Sequence, residues 1–290
     1  MPRPASSGRH PTTRPSAVWT PDDRQAAALQ ARLLAWYEQN GRDLPWRHTT
    51  DTYAVLVSEV MLQQTQVSRV VPAYGRFLET YPTLQALAMA PLADVLRSWR
   101  GLGYNNRAER LRRCARICVA RRVPGRAAAL PATVEGLGAL PGIGPYTARA
   151  VMVFAYDADV AAVDANVRRV LVHELELPAD LPPSAIQAVA DAVLPHGRSR
   201  DWHNALMDYG ALVLTARSAG VAPRTRQGAF VGSRRWYRAR LLRAVLDDGP
   251  QTKAGLAALL AVDGPFVDAL VLALERDGLV RRSGDTVAAA

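Results

Sequence analysis

The sequence predicts an all-α protein that ends in a small winged-helix-like module. Three observations carry this expectation. Apolar residues recur at helical spacing from about Asp23 to about Leu214, with almost no strand-type alternation. A Gly-, Pro- and Arg-rich stretch at 216–233 then interrupts the pattern and marks a boundary. Beyond it, residues 234–290 give two or three helical stretches and a short hairpin pattern, the layout of a winged-helix module.

The elements follow in order. Residues 1–20 are rich in Pro, Ser, Thr and Arg and lack an apolar run, so 1–22 reads as a disordered basic tail rather than a signal peptide. Leu29, Leu33, Leu34, Trp36 and Tyr37 share a helical period that stops at Asn40-Gly41. Residues 53–71, 84–89, 92–99, 108–122 and 134–140 read as further helices, separated by Pro, Gly or polar turns. A second helical block runs from Tyr146 to about Leu214, with a loop at 157–164 and a break at Leu181-Pro182-Pro183. In the module, 237–246, 256–260 and 265–276 read helical. The run Gly278-Leu279-Val280-Arg281-Arg282 before Gly284-Asp285 supplies the hairpin.

Composition narrows the function. A chain of 290 residues holds one large domain or two modest ones. Its hydrophobic 49% contains no stretch of about 18 apolar residues, so no membrane span is expected. Lys and Arg number 36 against 26 Asp and Glu, and the net charge of +10 favours a polyanionic partner. Cys114 and Cys118 are the only cysteines and lie four apart in a helical stretch. They exclude a disulfide framework, fit a reducing cytosol, and are expected to pack in the core.

Three segments carry chemistry. In Leu140-Pro141-Gly142-Ile143-Gly144-Pro145-Tyr146-Thr147-Ala148, between two helices, Gly142 and Gly144 permit a tight hairpin. The amides opening the second helix are then free for a phosphate oxygen, although an ordinary helix-helix turn has the same pattern. Asp164, in Val163-Asp164-Ala165-Asn166-Val167, stands just before a helix, where Asp is also a good cap. Glu59 sits among Val, Met and Leu in Val57-Ser58-Glu59-Val60-Met61-Leu62-Gln63-Gln64-Thr65-Gln66-Val67. A carboxylate in such surroundings has its pKa raised and can donate a proton near neutral pH, whereas an isolated helical Glu is ordinarily solvated.

Together with Leu44-Pro45-Trp46-Arg47, Gly101-Leu102-Gly103-Tyr104 and Met207-Asp208-Tyr209-Gly210-Ala211, these segments resemble the helix-hairpin-helix (HhH-GPD) DNA glycosylases, most closely the adenine-specific branch. The match covers roughly residues 33–213. The resemblance implies a bilobal core. Residues 23–50 with 158–233 form one helical lobe, 51–157 a six-helix barrel bearing the hairpin, and 234–290 the added module. It implies Glu59 as the acid that protonates adenine N7 and Asp164 as the stabiliser of the sugar cation, facing Glu59 across a cleft. Tyr146 and Asn166 would position the acid, the water or the intermediate. Gln63, Gln64 and Thr65 would probe the gap left by the flipped base, and Tyr104 would wedge near the opposite base. Leu140, Gly142, Gly144 and Thr147 belong to the DNA-anchoring hairpin. Tyr146 stands where bifunctional relatives carry a lysine, which implies base removal without Schiff-base strand cleavage.

Three departures qualify the match. Most relatives ligate a [4Fe-4S] cluster through four cysteines, but the aligned positions here are Leu214, Val221, Arg224 and Phe230, so no cluster and no other metal or cofactor is expected. Apolar contacts of Leu214, Val221 and Phe230 are expected to hold that loop instead. The tail is too short for the Nudix-like domain of full-length adenine glycosylases; in its place Arg234, Arg235, Arg238, Arg240 and Arg243 are expected to grip DNA, with Arg235 and Arg238 as named contacts. A capping or dimerisation role is the alternative for this module. Asn105-Asn106-Arg107 is closer to the thymine-mismatch branch. The expected partner is double-stranded DNA with a mispaired or damaged base, bound by a monomer in the cytoplasm at the nucleoid. A thymine or uracil mismatch glycosylase and a non-catalytic DNA-binding protein remain open.

Overall fold

The computed structural model describes residues 21–215 and 229–290. The tail expected at 1–22 lies, up to residue 20, outside the described residues, as does 216–228. The first helix, α1 (Asp23–Asn40), opens on a capping box. Asp22 accepts from the Gln25 amide at 2.7 Å, and the Gln25 side chain accepts from the Asp22 amide at 3.2 Å. A turn of 3-10 helix, Pro45–Arg47, leads to α2 (Thr52–Leu62), which is buried along almost its whole length and is the central helix of its lobe.

Around α2 stand α3 (Val67–Thr80), α4 (Leu84–Met89), α5 (Leu92–Ser98), α6 (Asn106–Ala120), α7 (Val134–Gly138) and α8 (Pro145–Tyr156). They share one core built on Leu56, Phe77, Leu87, Trp99, Leu137 and Val151. Cys114 and Cys118 are buried in the same core as free thiols. The chain then forms α9 (Ala165–Glu174), α10 (Pro183–Ala192) and α11 (Ser199–Leu212). These pack with α1 around a separate core of Leu33, Val170, Leu171, Trp202 and Leu206. The two cores explain why α1, first in sequence, lies with the last helices of the second block. Its apolar stripe of Ala26, Leu29, Leu33 and Leu34 has its complement there.

The module comprises α12 (Arg234–Asp247), β1 (Gln251–Thr252), α13 (Lys253–Leu260), α14 (Gly264–Arg276), β2 (Val280–Ser283) and β3 (Thr286–Ala289). Its antiparallel sheet has the order β1-β3-β2, with Val280 opposite Ala289 and Gln251 opposite Val287. The expected hairpin is present, and the two-residue β1 adds a strand too short to leave a sequence pattern. Leu241, Leu242, Val245 and Leu270 join the core of α2 to α8 directly.

One expected helix is two. The run 53–71 breaks at Gln63, and Gln64 takes the left-handed conformation at φ +54° before α3 starts at Val67. The break has a tertiary cause. The buried guanidinium of Arg107 draws in the carbonyls of Val60, Met61 and Gln63 at 2.7, 2.9 and 2.6 Å, which ends the helix there.

Candidate active site

Glu59 lies in the third turn of α2 with 7% of its surface exposed. Tyr146, in the first turn of α8, donates its hydroxyl to the Glu59 carboxylate. Burial is the largest influence on Glu59 and pushes its pKa up to about 7; the Tyr146 hydroxyl pulls the other way, and the charge of Asp164 adds to the rise. The same burial raises Tyr146 well above its ordinary value, so it stays a neutral donor.

Asp164 is both an N-cap and a cleft residue. Its Oδ1 accepts from the Val167 amide at 2.7 Å, capping α9, while Oδ2 accepts from the Asn166 side chain at 2.9 Å. Arg169 donates to Asn166 Oδ1 at 2.6 Å and so holds the amide that holds the carboxylate. Gly210 of α11 lets this assembly close: a Cβ there would meet the Asn166 Cβ at 2.8 Å. Burial raises the Asp164 pKa, opposed by the Val167 amide, by the Asn166 side chain and amide, and by Arg169. Glu59 has a single donor and Asp164 several, so Asp164 is the better-stabilised anion of the two.

These groups meet in a cleft of about 580 Å³, within the size range of small-ligand sites. Glu59, Tyr146, Asp164, Asn166, Gln63, Gln64 and Thr65 all line it, so seven of the residues singled out in the sequence come together. Gln63 also donates to Thr147 Oγ1 at 3.3 Å. Tyr104 is not a lining residue. It stands at the next turn, 37% exposed with φ +44°, joined to the cleft by the Thr65 hydroxyl on the Leu102 carbonyl at 3.2 Å.

In the hairpin, Gly142 has φ +83°, and a Cβ there would meet the Arg110 Cβ at 2.9 Å. Of the residues expected in the DNA-anchoring hairpin, Leu140 and Thr147 have buried side chains, whereas Gly142, Gly144 and the neighbouring Pro145 are exposed. Arg238 is ion-paired to Asp277 inside the module, and Arg235 donates to the Tyr104 hydroxyl at 2.9 Å.

Three groups escaped the sequence reading. Arg107 donates to Thr65 Oγ1, to Leu102 O and to Gly103 O, each at 3.0 Å, besides its three bonds to the end of α2. It therefore ties the 63–65 turn to the 102–104 turn. His203, kept neutral by burial, accepts from the Ala162 amide at 2.9 Å through Nε2 and donates to the Ser199 carbonyl at 2.7 Å through Nδ1, fixing the loop that leads into Asp164. Asp208, with no exposed surface, receives Arg42 and Arg47 together at 2.7–2.8 Å. Those arginines outweigh its burial and hold it below the ordinary carboxylate range. Arg47 and Arg42 line the cleft, and Arg47 Nε is buried there with no hydrogen-bond partner. A lone helical arginine, a lone histidine and a single Asp within a quoted motif carry no sequence signal of burial, which depends on acceptors far away in the chain.

The residues present do not fit the iron-sulfur cluster that the resemblance brings to mind. Such a cluster takes four cysteinates, and the only two cysteines of the chain lie in α6, in the other lobe. Of the aligned positions, Leu214 is packed in the α1–α11 core, as expected. Phe230, expected to pack, is instead 54% exposed, and Val221 and Arg224 lie outside the described residues. Among the described residues no group of three or more metal-binding side chains occurs.

Residues 57–194 match the HhH-GPD superfamily of base excision DNA repair proteins. An adenine DNA glycosylase of Mycolicibacterium smegmatis is 40% identical over 275 residues, covering 87% of this chain and 92% of that protein. The adenine DNA glycosylase of Mus musculus is 40% identical over 208 residues but covers 67% of this chain and 39% of its own length. Among solved structures, a thermostable thymine-DNA glycosylase superposes with a TM-score of 0.61 at 29% identity, over 67% of this chain and 90% of that one. The chain therefore belongs to the HhH-GPD superfamily of base excision DNA repair proteins and, within it, to the family of the adenine DNA glycosylases.

Proposed function

We propose that the chain hydrolyses the N-glycosidic bond of adenine mispaired with guanine or 8-oxoguanine, and that it does so without cutting the strand. The observation that carries this reading is the pairing, in one buried cleft, of a carboxyl group poised near pH 7 with a second carboxylate better held as an anion. Glu59 donates its proton to adenine N7. The glycosidic electrons leave with the base, and Asp164 stabilises the sugar cation that remains. Water adds to C1′ and its proton returns to the Glu59 carboxylate. Tyr146 holds that carboxylate throughout, and Asn166 holds Asp164. A phenol at position 146 forms no imine, so the product is an intact strand with an abasic site.

Recognition follows from the same surfaces. The hairpin amides at Gly142, Gly144 and the start of α8 take a phosphate; Gln63, Gln64 and Thr65 probe the gap left by the flipped base, and Tyr104 wedges near the opposite base. The protein works as a monomer on nucleoid DNA in the cytoplasm, drawn by its +10 charge. The two separate cores support two lobes, 23–50 with 158–233 and 51–157, and the module 234–290 shares the core of the second. It needs no iron-sulfur cluster. The purified protein is expected to be colourless, and stoichiometric iron by elemental analysis would contradict this.

A second reading, removal of thymine or uracil opposite guanine, is favoured by the thymine-DNA glycosylase likeness. Duplexes bearing 8-oxoguanine:A, G:A, G:T, G:U or hypoxanthine separate the two. Strand breaks at adenine that appear only after alkali support the first reading, and excision from G:T or G:U alone supports the second. No abasic site on any duplex leaves a DNA-binding protein without glycosylase activity.

A further inference from the structure

The positive charge of the chain is not spread evenly. Residues 106–126 hold eight arginines against Glu109 alone, so this stretch carries +7 of the chain's +10. Arg107 is buried against the turns at the cleft mouth. Arg110, Arg113, Arg116, Arg121, Arg122 and Arg126 are exposed, and among the described residues none of the six forms an ion pair. Arg110, Arg113 and Arg116 recur at every third residue of α6, which sets them in a row across its solvent face. A solvated helix ordinarily interleaves acids and bases four apart. Here Arg116 stands four residues from Arg112, whose pKa is lowered by burial first and by Arg116 next. The helix dipole favours cations only at the last turn, which accounts for Arg121 and Arg122 but not for Arg110 and Arg113. Such a row repels itself unless a polyanion lies on it.

The row leads away from the cleft. The central helix α2 ends, and α6 begins, at the turns that Arg107 ties together at the cleft mouth. Leu56, Val60 and Gln63 line one crevice with Arg107, Leu111 and Cys114, so the two helices lie side by side and α6 runs back along the lobe from the mouth. Arg110 is the joint, because its side chain packs against Gly142 of the hairpin. From there the arginines recede, with Arg121 about 17 Å further along the helix.

We propose that the exposed arginine row of α6 is a second duplex-binding surface. It holds the backbone of a DNA segment other than the one seated at the cleft, and so lets the protein pass directly from one segment to the next. Charge complementarity and continuity with the hairpin argue for this occupant. A duplex sets one phosphate about every 3.4 Å along each strand, and arginines three residues apart on a helix rise about 4.5 Å, so neighbouring side chains reach neighbouring phosphates. An acidic protein partner would need an apolar anchor, and the exposed positions of α6 offer none larger than Ala120. Contacts of this kind are made to backbone alone and read no sequence. A protein held on one duplex thereby keeps a second at high local concentration, which is the condition for direct transfer.

The test follows the full chain as it leaves a labelled undamaged duplex while unlabelled duplex is added at fixed ionic strength. Release from a single site ignores the chase concentration. Release through a second site quickens with it, and a rise of roughly threefold or more is expected of the wild type. Sedimentation with two differently labelled duplexes should show one chain carrying both. The double variant Arg113→Gln with Arg116→Gln should flatten the chase dependence, weaken binding of the second duplex about tenfold at about 0.1 M salt, and lower its salt slope by about two. Arg113→Lys with Arg116→Lys keeps both charges and should behave as the wild type. Neither pair of exchanges touches the cleft, so single-turnover excision from a pre-bound mispair should be unchanged, and thermal melting checks that each variant folds. Wild-type release that ignores the chase overturns the proposal, as does a chase dependence that survives in the glutamine variant. An effect of that variant confined to long lesion duplexes would instead make the row a contact to the flank of the same DNA. Polyglutamate that quickens release as strongly as duplex of equal charge would make it a site for an acidic protein. If the wild type excises no base, the reading of the activity falls, while the chase experiment still decides the role of the row.

Discussion

Glu59 and Asp164 share a cleft but not a chemistry, and the difference is countable in hydrogen bonds. Glu59 sits in an apolar helix with the Tyr146 hydroxyl on its carboxylate, whereas Asp164 has two backbone amides, an amide side chain and an arginine behind it. Asp164→Asn keeps the cap geometry and removes the charge. It is expected to slow single-turnover excision roughly a hundredfold or more while leaving affinity for undamaged DNA nearly unchanged. Full retained activity would reduce Asp164 to a helix cap. Glu59 must be protonated to act, so the single-turnover rate is expected to fall as pH rises through about 7, and Glu59→Gln to abolish the reaction at every pH. Linkage gives a second readout. Burial raises the folded-state pKa from 4.5 to about 7, so the native state holds its proton where the unfolded state has lost it. Stability contributed by the protonated group is complete below 4.5 and is lost as pH rises through about 7, a difference on the order of 3 kcal/mol. Glu59→Gln should therefore be the more stable protein at pH 8 and no more stable at pH 4, as urea unfolding at both values would show.

At the scale of elements, the break between α2 and α3 shows what holds the site in shape. Arg107 is buried, and its hydrogen-bond partners are carbonyls and the Thr65 hydroxyl, with no carboxylate among them. Its charge is met by the carbonyls that end α2, where the helix dipole is negative, and by the 102–103 carbonyls. Burial lowers its pKa only to about 10, so it remains a cation at neutral pH. Arg107→Met leaves six carbonyls short of a donor and is expected to cost about 3 kcal/mol in urea unfolding, with slowed excision even in the folded fraction. A loss below about 0.5 kcal/mol would mean that water replaces the guanidinium without strain. The same arginine marks the limit of what the sequence discloses. Elements set by their own periodicity and punctuation, such as α4, α14 and the loop at 157–164, stand where their residues place them. So do Glu59 and Asp164, whose apolar neighbours and capping position are local features. The 63–66 break, the burial of Arg107 and the shared contacts of Asp208 depend on partners 40 to 170 residues away, roughly the span over which no local pattern survives.

For the molecule as a whole, the decisive feature is that its cores do not follow its sequence order. The first helix belongs with α9 to α11, and the last module belongs with α2 to α8. A module added for DNA contact alone could hang from its linker with a core of its own. Here Leu241, Leu242, Val245 and Leu270 are buried in the same cluster as Trp99 and Leu111, and Arg97, Arg100 and Glu109 lie along the seam. Removing residues 234–290 would uncover apolar residues of the α2-to-α8 lobe that share a core with the module, and each Leu uncovered forfeits about 1.5–3 kcal/mol of burial. The truncated chain is therefore expected to aggregate or to melt well below the full-length protein. The full chain should lose its module and the α2-to-α8 lobe in one cooperative transition, followed by near-UV circular dichroism and by limited proteolysis. A truncated protein that melts at the full-length temperature, or a full chain that melts the module separately, would show that the shared core is a contact between two independent units.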